Sequence, residues 1–163
     1  MTSKIKITTL SQEIKNYDFN LFLLYLLLMK VCFKNLKKCF TPEQIEAIKN
    51  FVLMIHSELP LKKDVFINFS DNRDVPMTTG VRMPKNKIVV LAKDRMFIDI
   101  LRTLGHEWTH EFQHQKLGLK DSDKVKDIGG PEENMANVLA GIFTKKFDKK
   151  HPKYSKLLYG END

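Results

Sequence analysis

The stretch Leu101-Arg102-Thr103-Leu104-Gly105-His106-Glu107-Trp108-Thr109-His110-Glu111-Phe112-Gln113-His114-Gln115 decides how this chain is read. Its periodicity is helical and it has two separable faces. With His106 at the origin of a wheel of about 100° per residue, His110, His114 and Glu107 fall within about 0–100°. Phe97, Ile100, Leu101, Leu104, Trp108 and Phe112 fall within about 120–240°, a wide apolar face suited to a core. The polar face carries a His-Glu-x-x-His pattern. Residues i and i+4 project the same way, so both imidazoles can reach one ion about 2.0–2.1 Å from each nitrogen. Glu107 lies about 100° round the helix, where a carboxylate can act as a base without being a ligand. The helix is expected to run from about Asp94 to Leu117 and to end at Gly118.

Catalytic zinc sites use three protein ligands plus water, so a third donor is expected from another rigid element. The segment Pro131-Glu132-Glu133-Asn134-Met135-Ala136-Asn137 opens a second helix that reaches about Phe147. Around Glu133 on its wheel stand Ala136, Asn137, Ala140 and Gly141, while Met135, Val138, Leu139 and Ile142 lie opposite. A carboxylate ringed by small residues lets the two helices come close, which a shared metal site requires. Glu132 suits the helix dipole instead. Asn137 is a candidate partner for orienting a ligand imidazole.

Working outward, the 163 residues amount to one domain, with 42% hydrophobic and 29% charged residues. That balance excludes wholesale disorder, and two Cys exclude a disulfide scaffold. Residues 19–29, FNLFLLYLLLM, form the one long apolar run. It is shorter than the roughly 20 residues a membrane span needs, and Glu13 and Asp18 before it make a poor signal peptide. The expectation is a cytoplasmic protein, neither secreted nor transmembrane. Residues 1–9 read as a loose end or edge strand and 10–38 as one or two helices. Cys32 and Cys39 then lie about 10.5 Å apart along a helix, too far for a disulfide, and reduced, partly buried thiols are expected.

Thr41-Pro42-Glu43-Gln44 is a strong helix start, and Ile45, Ile48, Phe51, Val52, Ile55 and Leu59 then recur at helical spacing up to Pro60. Val65–Phe69 alternates like a strand, Asp71-Asn72-Arg73-Asp74 reads as a turn, and residues 79–83 and 87–92 read as strands joined at Pro84-Lys85-Asn86. A polar loop over 119–130 separates the two site helices. The order implies one α+β domain: an N-terminal helical segment (1–60), then a core (61–163) with a small antiparallel or mixed sheet packed on the motif helix. The formal charge of +7 resides partly in Lys145, Lys146, Lys149, Lys150, Lys153 and Lys156. That tail reads first as a solvated face and second as a surface for nucleic acid or an acidic partner.

His-Glu-x-x-His followed by a distant helical Glu resembles the gluzincin class of zinc metallopeptidases. The stretches LRTLGHEWTHEFQHQ and EENMANVLAG further resemble small metallopeptidases of tailed bacteriophages and large DNA viruses, and are similar to ImmA/IrrE-type repressor-cleaving peptidases. The likeness covers about 87–152. Gly105 stands for the usual Ala and Met135 for a second Glu, while residues 1–60 match no family pattern. The resemblance implies a zincin-like fold, Zn²⁺ held by His106, His110 and Glu133 with a position left for water, and Glu107 as general base in hydrolysis of a peptide or protein. It implies a viral or phage protein located in host cytoplasm or virion. SprT-like proteases, the nearest rival pattern, use a third His, and His114 stands too close on the same helix to serve, fitting a polar surface better. An oxyanion donor is open among His114, His151, Tyr154, Tyr159, Arg82 and Arg102. Strand 87–92, which runs into the motif helix, is expected to border the cleft and pair with an extended substrate, and loop 119–130 to cover the other side. Two other classes fit the same residues: a zincin-fold binding or virion-structural protein without turnover, and a basic nucleic-acid-associated protein with a structural metal.

Overall fold

A computed structural model describes residues 30–72, 79–118 and 130–160. The expected end at 1–9, the helical reading and apolar run within 10–29, half of the 71–74 turn and loop 119–129 lie outside the described residues.

The architecture is α+β, with a four-stranded mixed sheet in the order β1-β2-β4-β3. The strands are β1 (Val31–Lys34), β2 (Val65–Ser70), β3 (Gly80–Met83) and β4 (Lys87–Leu91). β1 and β2 are parallel, β2 and β4 are parallel, and β3 closes the edge antiparallel to β4. The helices are α1 (Leu36–Cys39), α2 (Pro42–Glu58), α3 (Phe97–Leu117), α4 (Pro131–Lys150) and, after a short 3₁₀ turn, α5 (Ser155–Tyr159).

β1 corrects the helical reading of 10–38. Val31 pairs with Val65 and Phe33 with Ile67, so a partner more than thirty residues away turns this segment into a strand. Within the first sixty residues, β1 is thereby built into the same sheet as the strands of the 61–163 core. Cys32 is exposed on β1, Cys39 is half-buried at the end of α1, and both are free. The expected burial holds for only one of them.

α2 starts as its sequence demands. Thr41 Oγ1 accepts from the Gln44 N–H and Gln44 Oε1 accepts from the Thr41 N–H, a complete capping box with Pro42 in the first turn. α3 begins at Phe97, three residues later than expected. Asp94 has φ +55°, and the Arg95 guanidinium donates to the carbonyls of Leu91 at 2.9 Å and Asp99 at 3.0 Å, so this corner is a turn held by a side chain. Gly118, at φ +63°, ends the helix in the left-handed region.

Val65, Ile67 and Phe69 of β2 and Ile88 and Val90 of β4 share one sheet face. These residues share one core cluster with Ile48, Phe51 and Ile55 of α2, Leu101, Leu104 and Trp108 of α3, and Phe143 and Phe147 of α4, where Phe147 packs edge-on against Phe51. Trp108 is fully buried and donates Nε1–H to the Leu59 carbonyl at 3.0 Å, so its polar atom is satisfied. Among the described residues no helix is long and apolar enough to cross a membrane.

Candidate metal centre

α3 and α4 lie side by side with Ala136 and Ala140 buried between them, and this closeness brings Glu133 to the motif histidines. His106 Nε2 and His110 Nε2 are 3.0 Å apart. Glu133 places Oε2 3.0 Å from His110 Nε2 and Oε1 3.3 Å from His106 Nε2. Donors about 2.0–2.1 Å from a tetrahedral ion are separated by about 3.3 Å, so these spacings suit a common first shell.

The protonation pattern points the same way. Gln113 Nε2 donates to the Glu132 carbonyl at 3.0 Å, which turns Gln113 Oε1 toward His110 Nδ1 at 2.9 Å. An amide oxygen only accepts, so this network assigns the proton of neutral His110 to Nδ1. The lone pair of His110 Nε2 then faces a carboxylate oxygen and a second imidazole nitrogen. A ring lone pair and a carboxylate turned toward one point form an arrangement that a cation satisfies. Burial, reinforced by His110, lowers the His106 pKa and so disfavours filling the gap with an imidazolium, although Glu133 and Asn137 act the other way. The His106, His110 and Glu133 group can hold a metal ion. Asn137 donates to Glu133 Oε1 at 3.4 Å and also bonds His106, the orienting position expected of it.

Glu107 is 7% exposed and lies beside this cluster. Burial raises its pKa to about 7; the Arg82 peptide N–H, donating to the carboxylate, opposes that rise, and the Glu133 charge adds to it. β3 comes close enough to make this bond because residue 80 is Gly. A Cβ there would overlap Thr103 Cγ2 and sit 3.2 Å from Glu107 Cγ.

Several expected participants lie elsewhere. His114 is 8% exposed, not a surface residue, and it is not part of the ligand group. Tyr154, a candidate oxyanion donor in the sequence reading, is 1% exposed, with its hydroxyl donating to Glu46 Oε1 at 2.6 Å and accepting from Asn50 at 3.1 Å. His151 packs against the rings of Phe147 and Tyr154, Tyr159 donates to Asp148, and Arg102 is exposed. Tyr154, His151 and Tyr159 tie the C-terminal end to α2 or to α4. The Arg82 guanidinium is held by Glu111 at 2.8 Å. The strand bordering α3 at the sheet edge is β3 and not β4, which lies between β2 and β3. Gln113 is the orienting residue the sequence reading left without a role; its place three residues after His110, on the same side of the helix, is the signal that marks it.

No protein-family model, curated protein or solved structure matches this chain.

Proposed function

We propose that this chain is a zinc-dependent peptidase of the gluzincin type. The observation that carries the reading is the convergence of His106 Nε2, His110 Nε2 and Glu133 at spacings of 3.0–3.3 Å beside a buried carboxylate that is not one of the three. Two imidazoles and a carboxylate are a donor set of catalytic zinc. When bound, zinc supplies Lewis acidity to the scissile carbonyl and to water.

The chain's own residues supply the rest. Gln113 and Asn137 hold the ligand side chains in orientation. Glu107, buried beside the three ligands without being one of them, suits the role of the base that takes a proton from the attacking water and returns it to the leaving amine nitrogen. β3 supplies a docking edge. Leu91 N–H bonds the Thr79 carbonyl, and antiparallel pairs alternate, so the peptide groups of Gly80 and Arg82 point to the open side. Arg82 N–H is engaged by Glu107, and the Gly80 peptide groups face the open side as the edge for an extended peptide. The basic tail favours a nucleic-acid role less, because Lys146 and Lys153 are paired with Glu58 and Glu46.

The deciding experiment compares wild type with Glu107→Gln for zinc content and for hydrolysis of denatured protein or a peptide library. Retained zinc with lost hydrolysis is the expected result. Zinc-dependent cleavage that survives the change removes Glu107 as the base. Bound zinc with no cleavage by either form transfers the site to the binding-protein reading.

A further inference from the structure

β3 is fastened to α3 at both ends. At its upstream end Arg95 reaches the Thr79 carbonyl at 3.4 Å and Thr103 Oγ1 at 2.8 Å. At its downstream end Arg82 makes two bonds to α3. Its Nε donates to Glu111 Oε2 at 2.8 Å, and its peptide N–H donates to Glu107. The two acids stand one helical turn apart, so a single residue of β3 engages both.

The Glu111 side chain is 0% exposed and that of Arg82 is 10% exposed. The other Glu111 oxygen accepts from Gln115 Nε2 at 2.8 Å, and Gln115 Oε1 accepts from the peptide N–H groups of Lys62 and Lys63 at 2.8 and 3.1 Å. A continuous polar chain thus runs from the segment before β2, across α3, to β3. Stability alone does not call for it, since apolar residues of similar volume often replace a buried ion pair without loss. Directionality does. A fully buried carboxylate accepts a guanidinium in few geometries, so the pair fixes where β3 lies along α3.

We propose that Arg82 and Glu111 are positioning residues whose buried ion pair seats β3 so that the Arg82 peptide N–H holds the Glu107 carboxylate. The consequence for turnover rests on the peptidase reading; the seating itself is measurable without turnover.

The test uses the double variant Arg82→Met/Glu111→Leu, which keeps an apolar filling and the residue-82 N–H, and Glu111→Gln as a second variant. Amide exchange and the resonance of the residue-82 N–H are followed by NMR in metal-free protein, alongside zinc content and peptide kinetics. The expected result is a folded protein with stoichiometric zinc, residue-82 amide exchange faster by about tenfold or more, and a resonance no longer sensitive to Glu107→Gln. kcat falls by about a hundredfold while KM stays within about twofold. A folded variant with wild-type protection of that amide and wild-type kcat overturns the proposal. If the double variant does not fold, Glu111→Gln decides by the same amide readout: lost protection supports the seating and retained protection overturns it. A wild type that binds zinc but cuts no peptide refutes the peptidase reading, and the amide measurement still decides the seating.

Discussion

Replacing Glu107 by Gln in metal-free protein isolates the cost of burying that carboxyl. The folded state holds its pKa at about 7 against an ordinary 4.5, chiefly through burial. Because the folded value lies above the unfolded one, folding favours the protonated acid. The stability this group contributes is whole below about pH 4.5 and is lost as pH rises toward and through about 7. At about 1.4 kcal/mol per pKa unit, the move from 4.5 to about 7 is worth about 3 kcal/mol. Glu107 is 7% exposed, so solvent screening discounts little of this. Gln has nearly the same shape and no charge to desolvate. Urea unfolding with chelator present, at intervals between about pH 4 and 8, should show the two proteins nearly equal at the acid end. The Gln variant should be more stable by about 3 kcal/mol at the alkaline end. The histidines with lowered pKa are common to both proteins and drop out of the difference. A difference that stays flat across the range would refute the reasoning, since it would mean Glu107 is solvated or ionised throughout.

Gln113→Ala removes the acceptor on His110 Nδ1 and the bond to the Glu132 carbonyl. Zinc affinity should fall about 10- to 100-fold in a chelator competition while the protein stays folded. Gly80→Ala forces a methyl into Thr103 Cγ2 and should cost about 1–3 kcal/mol in thermal unfolding. Adding Thr103→Ser, which removes that methyl and keeps the hydroxyl that accepts from Arg95, should recover most of the loss; a double variant no better than the single would rule out overlap as the cause.

The parts of the fold written in local chemistry are readable from the residues that carry them. Thr41 and Gln44 announce the start of α2, Gly118 the end of α3, and the turn Pro84-Lys85-Asn86, with Lys85 and Asn86 at positive φ, the hairpin of β3 and β4. The two faces of α3 are visible because one helix displays both. What depends on distant partners is not. Val31–Lys34, only four residues long, follows an apolar run that reads as helix, and only pairing with β2 makes it a strand. The adjacency of 87–91 to α3 in the chain suggests a cleft edge, but the hairpin folds β3 outside it. Asp94 and Arg95 fit a helix start until the Arg95 guanidinium is seen bonding carbonyls at the turn.

The candidate site divides along the same line. His106, Glu107 and His110 are legible from spacing, and Glu133 from its ring of small neighbours, because ligand geometry and helix approach both leave a periodic trace. Glu111 falls at about 140° on the same wheel, inside the apolar sector, so its burial leaves a trace; its partner does not, because that is an arginine 29 residues earlier. Tyr154 and His151 read as cleft candidates by residue type, while their partners Glu46, Asn50 and Phe147 place them in the packing of the C-terminal end.

Zinc titration into chelator-stripped protein, wild type against Glu133→Ala, tests most directly whether one carboxylate from α4 and two imidazoles from α3 share an ion. The account predicts stoichiometric, tight binding in the wild type and binding weakened by orders of magnitude in the variant. Equal stoichiometry and affinity in the two proteins would contradict it.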